Sequence, residues 1–156
     1  MRSRTSDWYE VTVKYDKQQE DGSKKKVSET YIVDALSCSE AERTATEELK
    51  PYITGDFKIK SIKECPFHEV FFSDNEYDDK WYKAKLAFIT LDEKSQKEKR
   101  NNVTYLVQAL TLNGAVRHVD EEMGGTTIDY SSLSAQETKI MDVFEHKEQD
   151  TKNKVK

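Results

Sequence analysis

Cys65, Pro66, Phe67 and His68 place a thiol and an imidazole three residues apart, the first spacing in this chain that suggests chemistry. A tetrahedral metal site needs three or four such ligands, and the remaining histidines, His118 and His146, stand far off with no second cysteine cluster. Cys65 therefore reads as a half-buried thiol beside a loop proline, with no metal. His118 reads as a solvent-facing helix residue. Nucleophilic catalysis has no support either. There is no G-x-S-x-G elbow and no phosphate-cradling glycine loop among only five glycines. The carboxylate pairs Glu47–Glu48 and Glu121–Glu122 fall in the last turn of predicted helices, where the helix dipole disfavours them. They read as solvated faces or contacts to a basic partner. The expectation is no catalytic residue, no metal, no cofactor and no enzymatic activity.

A second constellation lies on a strand face. In WYEVTVKY, alternation puts Trp8, Glu10, Thr12 and Lys14 on one side and Tyr9, Val11, Val13 and Tyr15 on the other. In WYKAKLAF, Trp81, Lys83 and Lys85 face away from Tyr82, Ala84, Leu86 and Phe88. Lys58 and Lys60 follow on a later strand, and Lys24 to Lys26, Lys97, Lys99 and Arg100 sit in charged loops. Tryptophan beside lysine is a surface that stacks bases and tracks phosphates. The expected nucleic-acid-binding residues are Trp8, Trp81, Lys14, Lys83, Lys85, Lys58 and Lys60, with single-stranded DNA or RNA as the partner. The competing reading is plainer: the tryptophans pack, the lysines protect sheet edges, and any partner is a protein.

The elements that position these residues occur twice. TYIVDALS from Thr30 and TYLVQALT from Thr104 lie 74 residues apart. Each follows an alternating strand and a charged loop, and each leads into a helix. In the first, Ser37 and Glu40 form a capping-box pattern. Ala41, Ala45 and Leu49 then step by four until Pro51 stops the helix. In the second, Ala115, Val119 and Met123 repeat the stripe before Gly124–Gly125. Two further strands follow each helix: Phe57–Glu64 and His68–Phe72, then Ile128–Ser134 and Lys139–Phe144. Ile32 with Leu36, and Leu106 with Leu110, make the twin strands apolar on both faces, with Asp34 and Gln108 as polar residues between.

The predicted fold is α+β: tandem ββαββ repeats forming a pseudo-two-fold intramolecular dimer with mainly antiparallel sheets, each copy covering the other's remaining apolar surface. Residues 1–6 read as a flexible N-terminus, 7–74 as repeat one, 75–79 as a linker, 80–146 as repeat two and 147–156 as a disordered tail.

Net charge is −5, and neither half is a basic arm: residues 1–75 hold 12 basic and 15 acidic groups, 76–156 hold 13 and 15. This weighs against sequence-blind binding of duplex nucleic acid. Two cysteines, no signal-peptide pattern in MRSRTSD and no long apolar run point to a cytoplasmic protein with no membrane contact.

DWYEVTVKYDK followed by KKVSETYIVDALSCSEAE resembles an uncharacterised family of small proteins from Bacteroidetes bacteria and their phages and mobile elements. Its members open with W-Y-x-V-x-V-x-Y and carry V-D-A-x-[ST]-x-x-E-A-E before a helix. The resemblance brings no catalytic residues. It implies a small cytoplasmic accessory protein of a phage or mobile element, among whose products single-strand-binding proteins are frequent. An alternative within that setting is a regulatory module acting on a host or phage protein. The element count is also similar to that of single-strand-binding PUR-type proteins, although here the helix comes third in each repeat.

Overall fold

The computed structural model describes residues 7–145; the predicted N-terminal arm, His146 and the predicted tail lie outside them. Within these residues the chain folds as mixed α+β, with eight strands in two sheets and two helices. The first repeat supplies β1 (Asp7–Gln18), β2 (Lys24–Ala35), α1 (Cys38–Leu49), β3 (Phe57–Cys65) and β4 (Phe67–Phe71). The second supplies β5 (Lys80–Leu91), β6 (Glu98–Ala109), α2 (Leu112–Met123), β7 (Asp129–Glu137) and β8 (Ile140–Phe144) in the same order. The ββαββ duplication legible in the sequence is the architecture of the chain.

Local chemistry explains each element. The β1–β2 hairpin turns on Gly22, whose φ of 88° lies in the left-handed region, and Asp21 Oδ1 accepts the Ser23 amide at 2.9 Å. Ser37 Oγ accepts the Glu40 amide at 3.2 Å at the start of α1. The Glu40 carboxylate reaches back one residue past the cap, to the Leu36 amide at 3.0 Å. In α2 the corresponding cap is Thr111, accepting from Gly114. The predicted stripes are the buried ones: Ala41, Ala45 and Leu49 in α1, and Ala115, Val119 and Met123 in α2.

Sheet membership cuts across the repeats. The sheet orders are β3-β1-β2-β8 and β4-β6-β5-β7, so the last strand of each repeat completes the other repeat's sheet. β8 runs parallel to β2 and β4 parallel to β6; every other pairing is antiparallel. The connections give the reason. Only Pro66 separates β3 from β4, too short a link for a return to the same sheet. A parallel pairing needs a long crossover, and exchange supplies it. Two compact units result. One holds β1, β2, α1, β3 and β8; the other holds β4, β5, β6, α2 and β7.

In the first unit, Tyr9, Val11 and Val13 of β1 and Tyr31, Val33 and Ala35 of β2 face α1, flanked by Ile59, Ile62 and Phe144. In the second, Tyr82, Ala84 and Leu86 of β5 and Tyr105, Val107 and Ala109 of β6 face α2. The opposite faces carry the fully buried Ile32 and Leu106. Leu36 and Leu110, expected beside them, fall past the strand ends and are exposed. Among the described residues no helix is long and apolar enough to cross a membrane.

Candidate nucleic-acid interface

The tryptophans correct the expected surface. Trp8 is 0% exposed and Trp81 2%. Trp8 stands opposite Asp34, itself 1% exposed, and Trp81 stands opposite Gln108. The Phe72 ring meets Trp81 edge-on at 5.6 Å. A side chain so enclosed offers no face to a base. Each is buried on the face of its own sheet away from the helix, Trp8 with Ile32 and Trp81 with Leu106, and a strand apolar on both faces is the sequence signal for such burial.

The lysines divide between the units. Lys83 and Lys85 are exposed on β5, and Lys83 Nζ lies 5.9 Å from the centre of the Phe67 ring. Lys60 is the extra, exposed residue of a bulge in β3, between Ile59, which pairs with Val13, and Ser61, which pairs with Thr12. Lys14 and Lys58 face each other across the β1–β3 ladder, and Lys26 opposes Asp16 across β1–β2. These three lysines converge on one open cavity of about 360 Å³. Tyr15 and Phe57, paired across the same ladder, also line it, with Asp16 and Asp56. Three cations against two carboxylates leave the lining positive by one.

The aromatic wall is anchored. Glu29 Oε1 accepts the Tyr15 hydroxyl at 3.0 Å and the Tyr31 hydroxyl at 3.1 Å. Tyr31 in turn stacks on Phe144, ring centres 5.5 Å apart and nearly parallel. Burial first, then the Glu29 charge, push the Tyr31 phenol well above its ordinary ionisation. Tyr15 is raised by burial and by its bond to Glu29. Both therefore stay neutral and donate through the physiological range. The sequence offers Lys26 only as one of three lysines in a charged loop, and Glu29 not at all. Hairpin register could have found them, because Asp16 opposite Lys26 fixes which tip residues flank Lys14.

The corresponding positions of the second unit lack this cavity's charge: Ala87, Ile89 and Ser131 stand where Lys14, Asp16 and Lys58 stand in the first, with Arg100 for Lys26.

Other candidates resolve differently. His118 is half-buried: its Nδ1 lies 2.8 Å from the Gln108 carbonyl and its Nε2 3.9 Å from Asp78. The Gln108 side chain accepts the Ser73 amide at 2.9 Å, and Ser73 donates to Asp78. The polar joint before β5 is thus knitted to the second sheet, and Gln108 has its partner there. Cys65 is a half-buried thiol at the end of β3, outside any disulfide. Among the described residues no group of three or more His, Cys, Asp or Glu is placed to hold a metal ion.

Residues 7–146 match the family described as Domain of unknown function (DUF4494), and the chain belongs to that family. No curated protein matches it.

Proposed function

We propose that this member of the DUF4494 family is a non-enzymatic accessory protein that binds single-stranded nucleic acid at the hairpin end of its first unit. One observation carries the reading: Lys14, Lys26 and Lys58 line a single open cavity together with Tyr15 and Phe57. Lysines neutralise phosphates and an aromatic ring offers a base its face, a combination that tolerates any sequence. The bond from Tyr15 to Glu29 holds one ring in place before a ligand arrives, which lowers the ordering cost of binding. The resemblance to phage and mobile-element proteins supports a cytoplasmic replication-accessory setting.

Fluorescence anisotropy with labelled single-stranded DNA, single-stranded RNA and duplex, side by side at low salt, tests this. Single strands bind more tightly than duplex. Three phosphate contacts give a slope of log affinity against log salt of about −2, and each lysine replaced by alanine reduces it by about 0.7. The variants to use are Lys14→Ala and Lys58→Ala, both exposed; the tryptophans are core. Equal affinity in the native chain and the Lys14→Ala/Lys58→Ala variant would end the proposal.

A further inference from the structure

The two units serve as each other's control, and they differ most along one strand. β3 is an edge of the first sheet and β7 the same edge of the second. Both carry a bulge at the same place, where Lys60 is the extra residue of β3 and Leu133 that of β7. In the first unit Ile59 and Ile62 pack against the core beneath α1. Their counterparts in β7 are Ser132 and Ala135. Removing that bulk leaves an open cleft of about 150 Å³ between α2 and β7. Buried Leu86 and Val119 line its depth, and Val116 and Leu133 its mouth.

The mouth has changed as well. Val116 stands where α1 has Glu42, and Leu133 where β3 has Lys60. Val116 is 37% exposed and Leu133 45%. Ser131 and Gln136 replace Lys58 and Lys63, so β7 has lost every lysine that guards its counterpart. An edge strand without lysines to guard it is a template for a further strand. A cleft beside it that accepts an apolar side chain supplies specificity.

We infer that the β7 edge and the α2–β7 cleft form a docking site for an extended segment of a protein partner, with an apolar residue seated between Val116 and Leu133 and basic residues flanking it. The flanks follow from charge. β7 begins at Asp129 and ends at Glu137, and Asp120 on the adjoining helix holds the Tyr130 hydroxyl at 2.9 Å. A second copy fits poorly: antiparallel self-pairing centred on Leu133 sets Asp129 against Glu137, and like charges directly opposite are destabilising. The site is separate from the lysine cavity of the first unit, so oligonucleotide affinity is unaffected by changes here.

The test is selection from a display library of random nine-residue peptides on the immobilised full chain, with counter-selection on Ser132→Ile/Ala135→Ile. A second variant, Val116→Glu/Leu133→Lys, closes the mouth. Both install residues the first repeat already folds with at these places. The cavity-filled variant melts no lower than the native chain. Enriched peptides carry a central apolar residue between Lys or Arg, bind the native chain at least tenfold more tightly than either variant, and slow hydrogen exchange in β7. Where a variant fails to fold, the exchange map of the native chain with peptide decides. The inference is overturned if no peptide separates native from cavity-filled protein, if the peptides protect residues elsewhere, or if the native chain proves to self-associate through β7.

Discussion

Glu29 does at one residue what the second unit does without: it ties two tyrosines together. Tyr15 and Tyr31 both donate to its Oε1, while Phe88, the counterpart of Tyr15, has no hydroxyl to give. The pH consequence has a definite sign. Phenols whose folded-state ionisation is raised hold their protons more tightly in the native chain than in the unfolded one. That contribution is complete below the ordinary phenol value of about 10 and is lost as pH rises through the raised folded values. Melting temperature is therefore expected to fall steeply above about pH 10. Tyr31→Phe flattens the fall without abolishing it, because Tyr105 is also raised, by burial and then by Glu69. Identical slopes for native and variant protein in a melting series up to pH 11.5 would refute this.

Among the elements, β8 is the informative one. It is encoded at the end of the second repeat, yet Phe144 stacks on Tyr31 and β8 pairs with β2 from Thr30 to Val33. Phe144 is half-buried, so Phe144→Ala should destabilise the first unit by roughly 1.5 kcal/mol, the low end for burying such a side chain. The loss appears as faster native-state hydrogen exchange in β1 and β2, with β5 and β6 unchanged. Faster exchange in β5 and β6 would assign β8 to the wrong sheet. The elements themselves were readable. Alternation at Trp8–Tyr15 and Trp81–Phe88, the Ser37 cap and the four-residue stripes locate strands and helices that the structure contains. These signals are local, so they survive without knowledge of partners. Sheet membership is not local. Nothing in HEVFF or KIMDVF says which β2-type strand each will lie beside, because both are short apolar runs suited to either.

Across the whole chain, duplication has let two equivalent units diverge. The first keeps a guarded edge and lines one cavity with three lysines and two rings. The second strips its edge of lysine and opens an apolar cleft. Strand exchange makes each unit incomplete without the other repeat. Residues 7–74 expressed alone carry β4 but lack β8, leaving the outer edge of β2 bare. Such a chain is expected to dimerise, each copy placing its β4 parallel to the other's β2, as β4 lies beside β6 in the full chain. Light scattering on a size-exclusion column should report twice the mass of the repeat, and a folded monomer would contradict the exchange.

Composition and period alone determined that this chain is a duplicated ββαββ protein, because hydrophobic alternation and helix caps are written in neighbouring residues. Tertiary structure alone decided which side chains meet solvent. Trp8 and Trp81 look like a surface on strand alternation, and they are core, because the second face of a strand is covered or open according to what packs on it. The same holds for the cavity. Lys14, Lys26 and Lys58 are scattered over 45 residues of sequence, and only the register of β1 with its two neighbours brings them to one place.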